Sequence, residues 1–189
     1  MSTQRQPKLS PEDYLALERS SEQRHSYFRG EMFAIGGASP RHNRIVMNTS
    51  ALLWQQFRKR PCQVYTSDMR VKVNASGLYT YPDIVAICGE ERYDDQRQDT
   101  LINPLLIIEV LSESTEAYDR GDKFGHYQKL ESLQEYILVS QSNPKIECFT
   151  RQTDNTWLYV SIMGLDAILR LATIECELRL TEVYERVEF

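Results

Sequence analysis

Pro104-Leu105-Leu106-Ile107-Ile108-Glu109-Val110-Leu111 is the most apolar run of the 189-residue chain, and the rest of the chain is arranged around it. Such a run suits a central strand covered on both faces. Glu109 is its anomaly, because a carboxylate inside such a strand is costly unless something compensates it. Upstream, Glu90 to Asn103 reads as a polar, acidic loop. Before it, Tyr81 to Cys88 reads as a strand with Asp83 at its start, just after Pro82. Cys62 to Val73 alternates, with Met69, Val71 and Val73 facing one way and Arg70 and Lys72 the other. Asn74 to Gly77 is a turn.

Downstream, Ser112 to Thr115 forms a polar bend, and a helix is expected from about Tyr118 to Leu130, with Phe124, Tyr127 and Leu130 at intervals of three. Tyr136–Val139, Lys145–Arg151, Trp157–Met163 and a short segment near Ile174–Leu178 read as strands of the same sheet. Thr181 is expected to cap a last helix ending near Val187. At the other end, Ser10-Pro11-Glu12-Asp13 opens a helix with a capping box. Tyr27-Phe28 and Met32 to Ile35 flank Arg29-Gly30 as a hairpin. Ser39-Pro40 caps a second helix with Ile45, Val46, Leu52, Leu53 and Phe57 on one face, stopped by Pro61. This order predicts an α+β domain, a mixed sheet flanked by helices, over residues 1–189.

Composition narrows the function. Apolar residues make up 41% and charged residues 26%, an ordinary folded chain with no run long enough for a membrane helix. The N-terminal stretch has no apolar run of the secretory kind, and the four cysteines form no CxxC pair. A cytoplasmic location is therefore expected, with the cysteines as small buried hydrophobes and no structural zinc. The net charge of −5 counts against nonspecific coating of nucleic acid. It hides an asymmetry: Arg41 to Lys72 carries seven basic residues against Asp68 alone, +6, and Glu90 to Asp122 carries ten acids against three arginines, −7. A metal-dependent enzyme acting on a polyanion could use such halves; two solvated faces are the competing reading.

Asp83 at a strand mouth and Glu109 in the central strand could meet at one edge of the sheet. Close carboxylates repel, and a divalent cation such as Mg²⁺, with Mn²⁺ as the alternative, turns that repulsion into binding. Lys123, on the next helix, could reach back over the strand end to orient water or offset phosphate charge. Asp119 and Tyr127 lie at i−4 and i+4 from it. The competing readings are a turn-initiating Asp83, a structural ion pair at Glu109 and a solvated Lys123. His42 at the helix start is a candidate phosphate or metal contact, against a plain helix-start histidine. No HExxH, GxSxG or P-loop pattern occurs.

Tyr81-Pro82-Asp83, Ile108 to Ser112, Ser114-Thr115, Asp119, Lys123 and Tyr127 together resemble the Uma-type family of the PD-(D/E)XK restriction-endonuclease-like superfamily. So do Gly30 to Ala34, His42 to Val46, Ser67 to Val71 and Glu135 to Gln141. The resemblance implies a nuclease-like mixed-sheet core with Asp83 and Glu109 as metal-binding acids. The superfamily's usual lysine position, two after the second acid, is Leu111 here, and Lys123 matches the family's lysine on the next helix. Ser26 stands where relatives often carry a hairpin Glu. Glu31 is near, but by numerical parity it points elsewhere than Ser26. Ser112-Glu113-Ser114-Thr115 replaces a family S-P-S-T turn. The implied function is Mg²⁺-dependent hydrolysis of DNA, with Arg41, His42, Arg44, Arg70 and Lys72 holding the backbone. A nuclease-fold protein that binds nucleic acid or acts as an accessory factor without catalysis is the alternative, and a structural interaction protein the third. Cutting both strands of a duplex needs two sites, which a homodimer would supply.

Overall fold

The computed structural model describes residues 8–189. In chain order the elements are α1 (Pro11–Glu18), β1 (His25–Phe28), β2 (Glu31–Ala34), α2 (Pro40–Phe57), β3 (Cys62–Thr66), β4 (Arg70–Val73), β5 (Leu78–Thr80), β6 (Ile84–Cys88), β7 (Thr100–Leu101), β8 (Leu106–Val110), α3 (Glu116–Arg120), α4 (Asp122–Tyr127), β9 (Glu135–Val139), β10 (Lys145–Arg151), β11 (Trp157–Met163), β12 (Ile168–Leu171), β13 (Cys176–Arg179) and α5 (Leu180–Val183). The fold is α+β. Its main sheet is mixed and runs β11-β10-β9-β8-β6-β3, with β8 parallel to β9 and antiparallel to β6.

The apolar run is an interior strand, as its composition predicts. Leu106, Ile108 and Val110 pack on the face covered by α2 and α5. Ile107 points the other way, into a cluster with Tyr127, Tyr136 and Leu138. Glu109 shares that second face by alternation. Local signals hold where they are local. Ser10 Oγ accepts from the Asp13 N–H at 3.1 Å and Ser39 Oγ from the His42 N–H at 3.0 Å. Arg29 and Gly30 take positive φ of 51° and 91° in the hairpin turn.

Other expectations change. One sheet becomes three: Cys62–Val73 is interrupted at Ser67–Met69 and gives β3 of the main sheet and β4 of a five-stranded sheet, β2-β1-β5-β4-β7, and a third sheet forms near the C-terminal end. Tyr81–Cys88 begins as a strand only at Ile84, and the acidic loop contributes β7. The C-terminal segment pairs with the unforeseen β12 in a two-stranded sheet, and α5 starts at Leu180 with no capping by Thr181. The helix after Ser112–Thr115 is two short ones, broken at Gly121, whose N–H reaches both the Ala117 and Tyr118 carbonyls. Cys148 and Cys176 are buried, but Cys62 and Cys88 are disulfide-bonded. They lie directly opposite in the β3/β6 register, a proximity that spacing along the chain does not reveal.

Part of the charge asymmetry is internal. Arg70, 3% exposed, lies 3.0 Å from Asp99 and donates to Thr100 Oγ1 and Tyr81 Oη, each at 2.8 Å. Lys72 pairs with Asp94 at 2.6 Å, and Arg19 holds Asp95 and Asp99 at 2.7 Å each. These contacts tie α1 and β4 to the acidic loop. Arg70 and Lys72 are thus spent on the fold rather than presented to DNA, whereas Arg44, Arg58 and Lys59 of the same basic half stay exposed. Arg19, with Arg70 behind it, holds the Asp99 carboxyl well below the usual carboxylate range. A group with a depressed folded-state pKa stabilises above its unfolded value and loses that contribution as pH falls. Arg70→Met is expected to cost about 2 kcal/mol in urea unfolding at pH 7, the scale of charge-assisted hydrogen bonds. The gap to wild type should narrow only in acid, once the variant's Asp99, still held down by Arg19, takes up a proton. An unchanged cost of Arg70→Met in an Asp99→Asn background would show that Asp99 is not its source.

Candidate active site

The β6/β8 register explains how residues 26 apart in sequence meet. Ile84 opposes Ile108 and Val85 opposes Ile107, so one step further Asp83 lies opposite Glu109. Asp83 is then locked by two donors on one oxygen. The Val110 N–H reaches Oδ2 at 2.7 Å, and His42 Nε2 lies 3.0 Å from the same atom. His42 comes from the start of α2, so the helix covering one sheet face and the neighbouring strand β8 share this carboxylate.

On the opposite face, α3 and α4 supply a cation. Lys123 Nζ lies 2.8 Å from Glu109 Oε1 and 3.1 Å from Asp119 Oδ1. The Tyr127 hydroxyl donates to the same Glu109 oxygen at 2.9 Å, and the Tyr136 hydroxyl donates to the Asp119 carbonyl at 2.9 Å. The break at Gly121 does not separate Asp119 from Lys123. The Glu109 and Asp119 side chains are 4% exposed and that of Lys123 10%, so the cluster is nearly dry. Burial pushes the Glu109 carboxyl up to about 8, with Lys123 opposing and Asp119 and Asp83 adding to the rise. Burial works against the Lys123 charge too, but the carboxylates of Glu109 and Asp119 outweigh it and its pKa is raised. Burial also lifts Tyr127 well above the ordinary phenol range, so it remains a donor.

The donor set suits a hard divalent cation. Each acid spends one oxygen on fixed donors. The other, Asp83 Oδ1 or Glu109 Oε2, accepts no hydrogen bond among the described residues and is not one of their sealed, unpartnered atoms. No three His, Cys, Asp or Glu side chains among the described residues form a ready-made cage. Two carboxylates with water filling the remaining positions is the arrangement Mg²⁺ favours.

The other sequence candidates fall in several places. His42 touches Asp83 rather than standing free for phosphate. Arg41 donates to the Gln141 carbonyl at 3.2 Å, and Arg44 is exposed. Gln141, given no role from sequence, links the rim: it accepts from Ser39 Oγ at 2.8 Å and donates to the Leu111 carbonyl at 2.7 Å. Ser26 pairs with Phe33 and Phe28 with Glu31, so Ser26 and Glu31 face the same side of the hairpin. Numerical parity fails here because paired numbers across this turn are one odd and one even. No hydrogen bond or ion pair joins either residue to the cluster among the described residues.

The Uma2 family model, described as "Putative restriction endonuclease", matches residues 11–182. The chain belongs to this family. Two similar proteins of Synechocystis sp. strain PCC 6803 are the uncharacterized protein sll1609, 36% identical over 84% of this chain and 90% of its own, and the uncharacterized protein slr1290, 34% identical over 97% and 95%. The crystal structure of a "putative nuclease belonging to DUF820" from Anabaena variabilis superposes with a TM-score of 0.77 at 15% identity. That superposition covers 94% of this chain and 98% of that one, and it establishes the shared α+β fold. Uma2 membership places the protein among nuclease-like chains. No helix among the described residues is long and apolar enough to cross a membrane.

Proposed function

We propose that this Uma2 protein is a metal-dependent endonuclease that hydrolyses phosphodiester bonds in DNA. The observation that carries the reading is the meeting of Asp83, Glu109 and Lys123 at one end of the main sheet, in a nearly dry pocket with two carboxylate oxygens left free. Asp83 and Glu109 would hold Mg²⁺ or Mn²⁺, which supplies a polarised water and a clamp on a phosphate oxygen. Val110 and His42 fix the Asp83 carboxylate, and Tyr127 fixes that of Glu109. Lys123 lies at ion-pair distance from Glu109 and Asp119 and has three N–H donors. A donor not turned to these acids can orient water or meet charge developing on the phosphate. Two copies of the chain would provide the two sites that duplex cleavage needs.

Supercoiled plasmid incubated with Mg²⁺ or Mn²⁺ should be nicked and then linearised, and a chelator should abolish this. Cleavage that persists in chelator would exclude the reading. The second reading, a nucleic-acid-binding protein without catalysis, is favoured by Ser26, which brings no carboxylate. It predicts metal-independent DNA binding and no nicking at millimolar metal.

A further inference from the structure

The chain has no Asp or Glu from Met32 to Ser67, and this stretch carries Arg41, Arg44, Arg58, Lys59 and Arg60. All of α2 lies within it. Its inner stripe, Ile45, Thr49, Leu53 and Phe57, is buried against the sheet. Its outer stripe, Arg44, Met47, Ala51, Trp54 and Arg58, is exposed at the spacing of one helix face. Trp54 is 57% exposed, an unusual place for the largest apolar side chain. The Arg58 guanidinium lies over its ring at 5.5 Å. Arg44, Arg58 and Lys59 have no ion-pair partner among the described residues, unlike Arg70 and Lys72, whereas Arg60 is anchored to Glu175 at 3.5 Å. Trp54, Arg58 and Arg60, with Gln63 and Val64 of the edge strand β3, line a concave surface that shares no residue with the acid cluster.

From these observations we infer that the outer face of α2 is a track for a single nucleic-acid strand, ending at a base-stacking subsite on Trp54. Uncompensated positive charge along the helix suits a phosphate backbone, and an open indole face backed by a guanidinium suits an unpaired base. His42, against Asp83, and Trp54 are twelve residues apart on one helix, about 18 Å at the α-helical rise. A strand seated on Trp54 therefore has its next few phosphates directed along Arg44 toward the acids. The inference rests on the proposed function for the class of ligand, and it adds where the strand is held and that an unpaired base is recognised.

The test is anisotropy of fluorescein-labelled dT12 and of a 12-base-pair duplex in calcium or chelator, where no cleavage occurs, with plasmid nicking measured on the same proteins. Trp54→Ala should weaken dT12 binding about tenfold, within the range for one stacked base, and leave the duplex within about twofold. Trp54→Phe should restore most of the loss. Arg44→Ala with Arg58→Ala should flatten the salt dependence for dT12 by roughly two phosphate contacts, a change in slope of about 1.4. All these side chains are exposed, and unchanged thermal unfolding confirms folding. Unaltered dT12 affinity and salt slope in both variants would overturn the inference, as would equal losses on dT12 and duplex. If those variants bind as wild type while Asp83→Asn abolishes nicking, the track fails and the proposed chemistry stands. If wild type does not nick but binds dT12 in a Trp54-dependent way, the track stands and the chemistry fails.

Discussion

Lys123→Met should abolish nicking to within the assay floor, a loss of about 10²–10³-fold, the scale for removing one preorganised electrostatic donor. The same change leaves Glu109 and Asp119 facing each other in a nearly dry pocket without their shared cation. Breaking a buried pair this way costs about 3–5 kcal/mol when the remaining charge cannot be discharged. Glu109 can discharge, since burial already pushes its carboxyl up to about 8 and loss of the ammonium removes the chief opposing influence. The sign follows from a raised folded-state pKa. The folded variant binds a proton that the unfolded chain, with an ordinary glutamate near 4.3, releases. Wild type binds the same proton up to about pH 8, so the variant's stability relative to wild type is level in mild acid and falls only as pH rises past about 8. Urea unfolding of both proteins from pH 5 to 9, beside single-turnover nicking, checks the two parts. Lys123→Arg should recover stability but little activity, because a planar guanidinium does not place its donors as an ammonium does. Nicking by Lys123→Met within tenfold of wild type would leave Lys123 a structural counter-ion only.

Asp83→Asn is expected to reduce Mg²⁺ affinity by at least about 100-fold with the fold intact. Asparagine keeps the size of the side chain and an oxygen that can accept the Val110 N–H now held at 2.7 Å, so only the charge is lost. The effect should exceed the 10–100-fold that follows from removing an outer-shell partner of a metal ligand. His42→Ala is such a removal, because Nε2 lies 3.0 Å from Asp83 Oδ2 and the ring has no other hydrogen bond through Nδ1. It should cost about tenfold, with KM for DNA little changed. Isothermal calorimetry with Mg²⁺ and Mn²⁺ measures both variants without reference to cleavage. Equal metal affinity in wild type and Asp83→Asn would mean that the two acids do not form the site.

The parts of this architecture that depend on nearest neighbours were legible beforehand. The interior strand was visible in its apolar run, α1 and α2 in their caps, and β10 and β11 in their bounds. Most of the misreadings share one cause. Cys62 and Cys88, Arg70 and Asp99, and Lys72 and Asp94 each meet through strand pairing or packing across the chain, and no spacing rule reports such meetings. The same holds for Ser26 and Glu31, whose shared face depends on the register of the hairpin. Gly121 breaks the helix at a residue that a three-residue apolar rhythm passes over.

The periodicities, and with them the interior strand and the covering helices, could be read along the chain, because they follow from local backbone geometry and the burial of apolar side chains. The sequence also marked Glu109 as out of place. Which charge answers that glutamate, that Asp83 stands opposite it, and that His42 holds Asp83 instead of facing solvent came from long-range packing. Those contacts depend on the register between β6 and β8 and on where α2 and α4 end over the sheet. Such quantities are set by the packing of the whole core and are carried by no short segment of the chain.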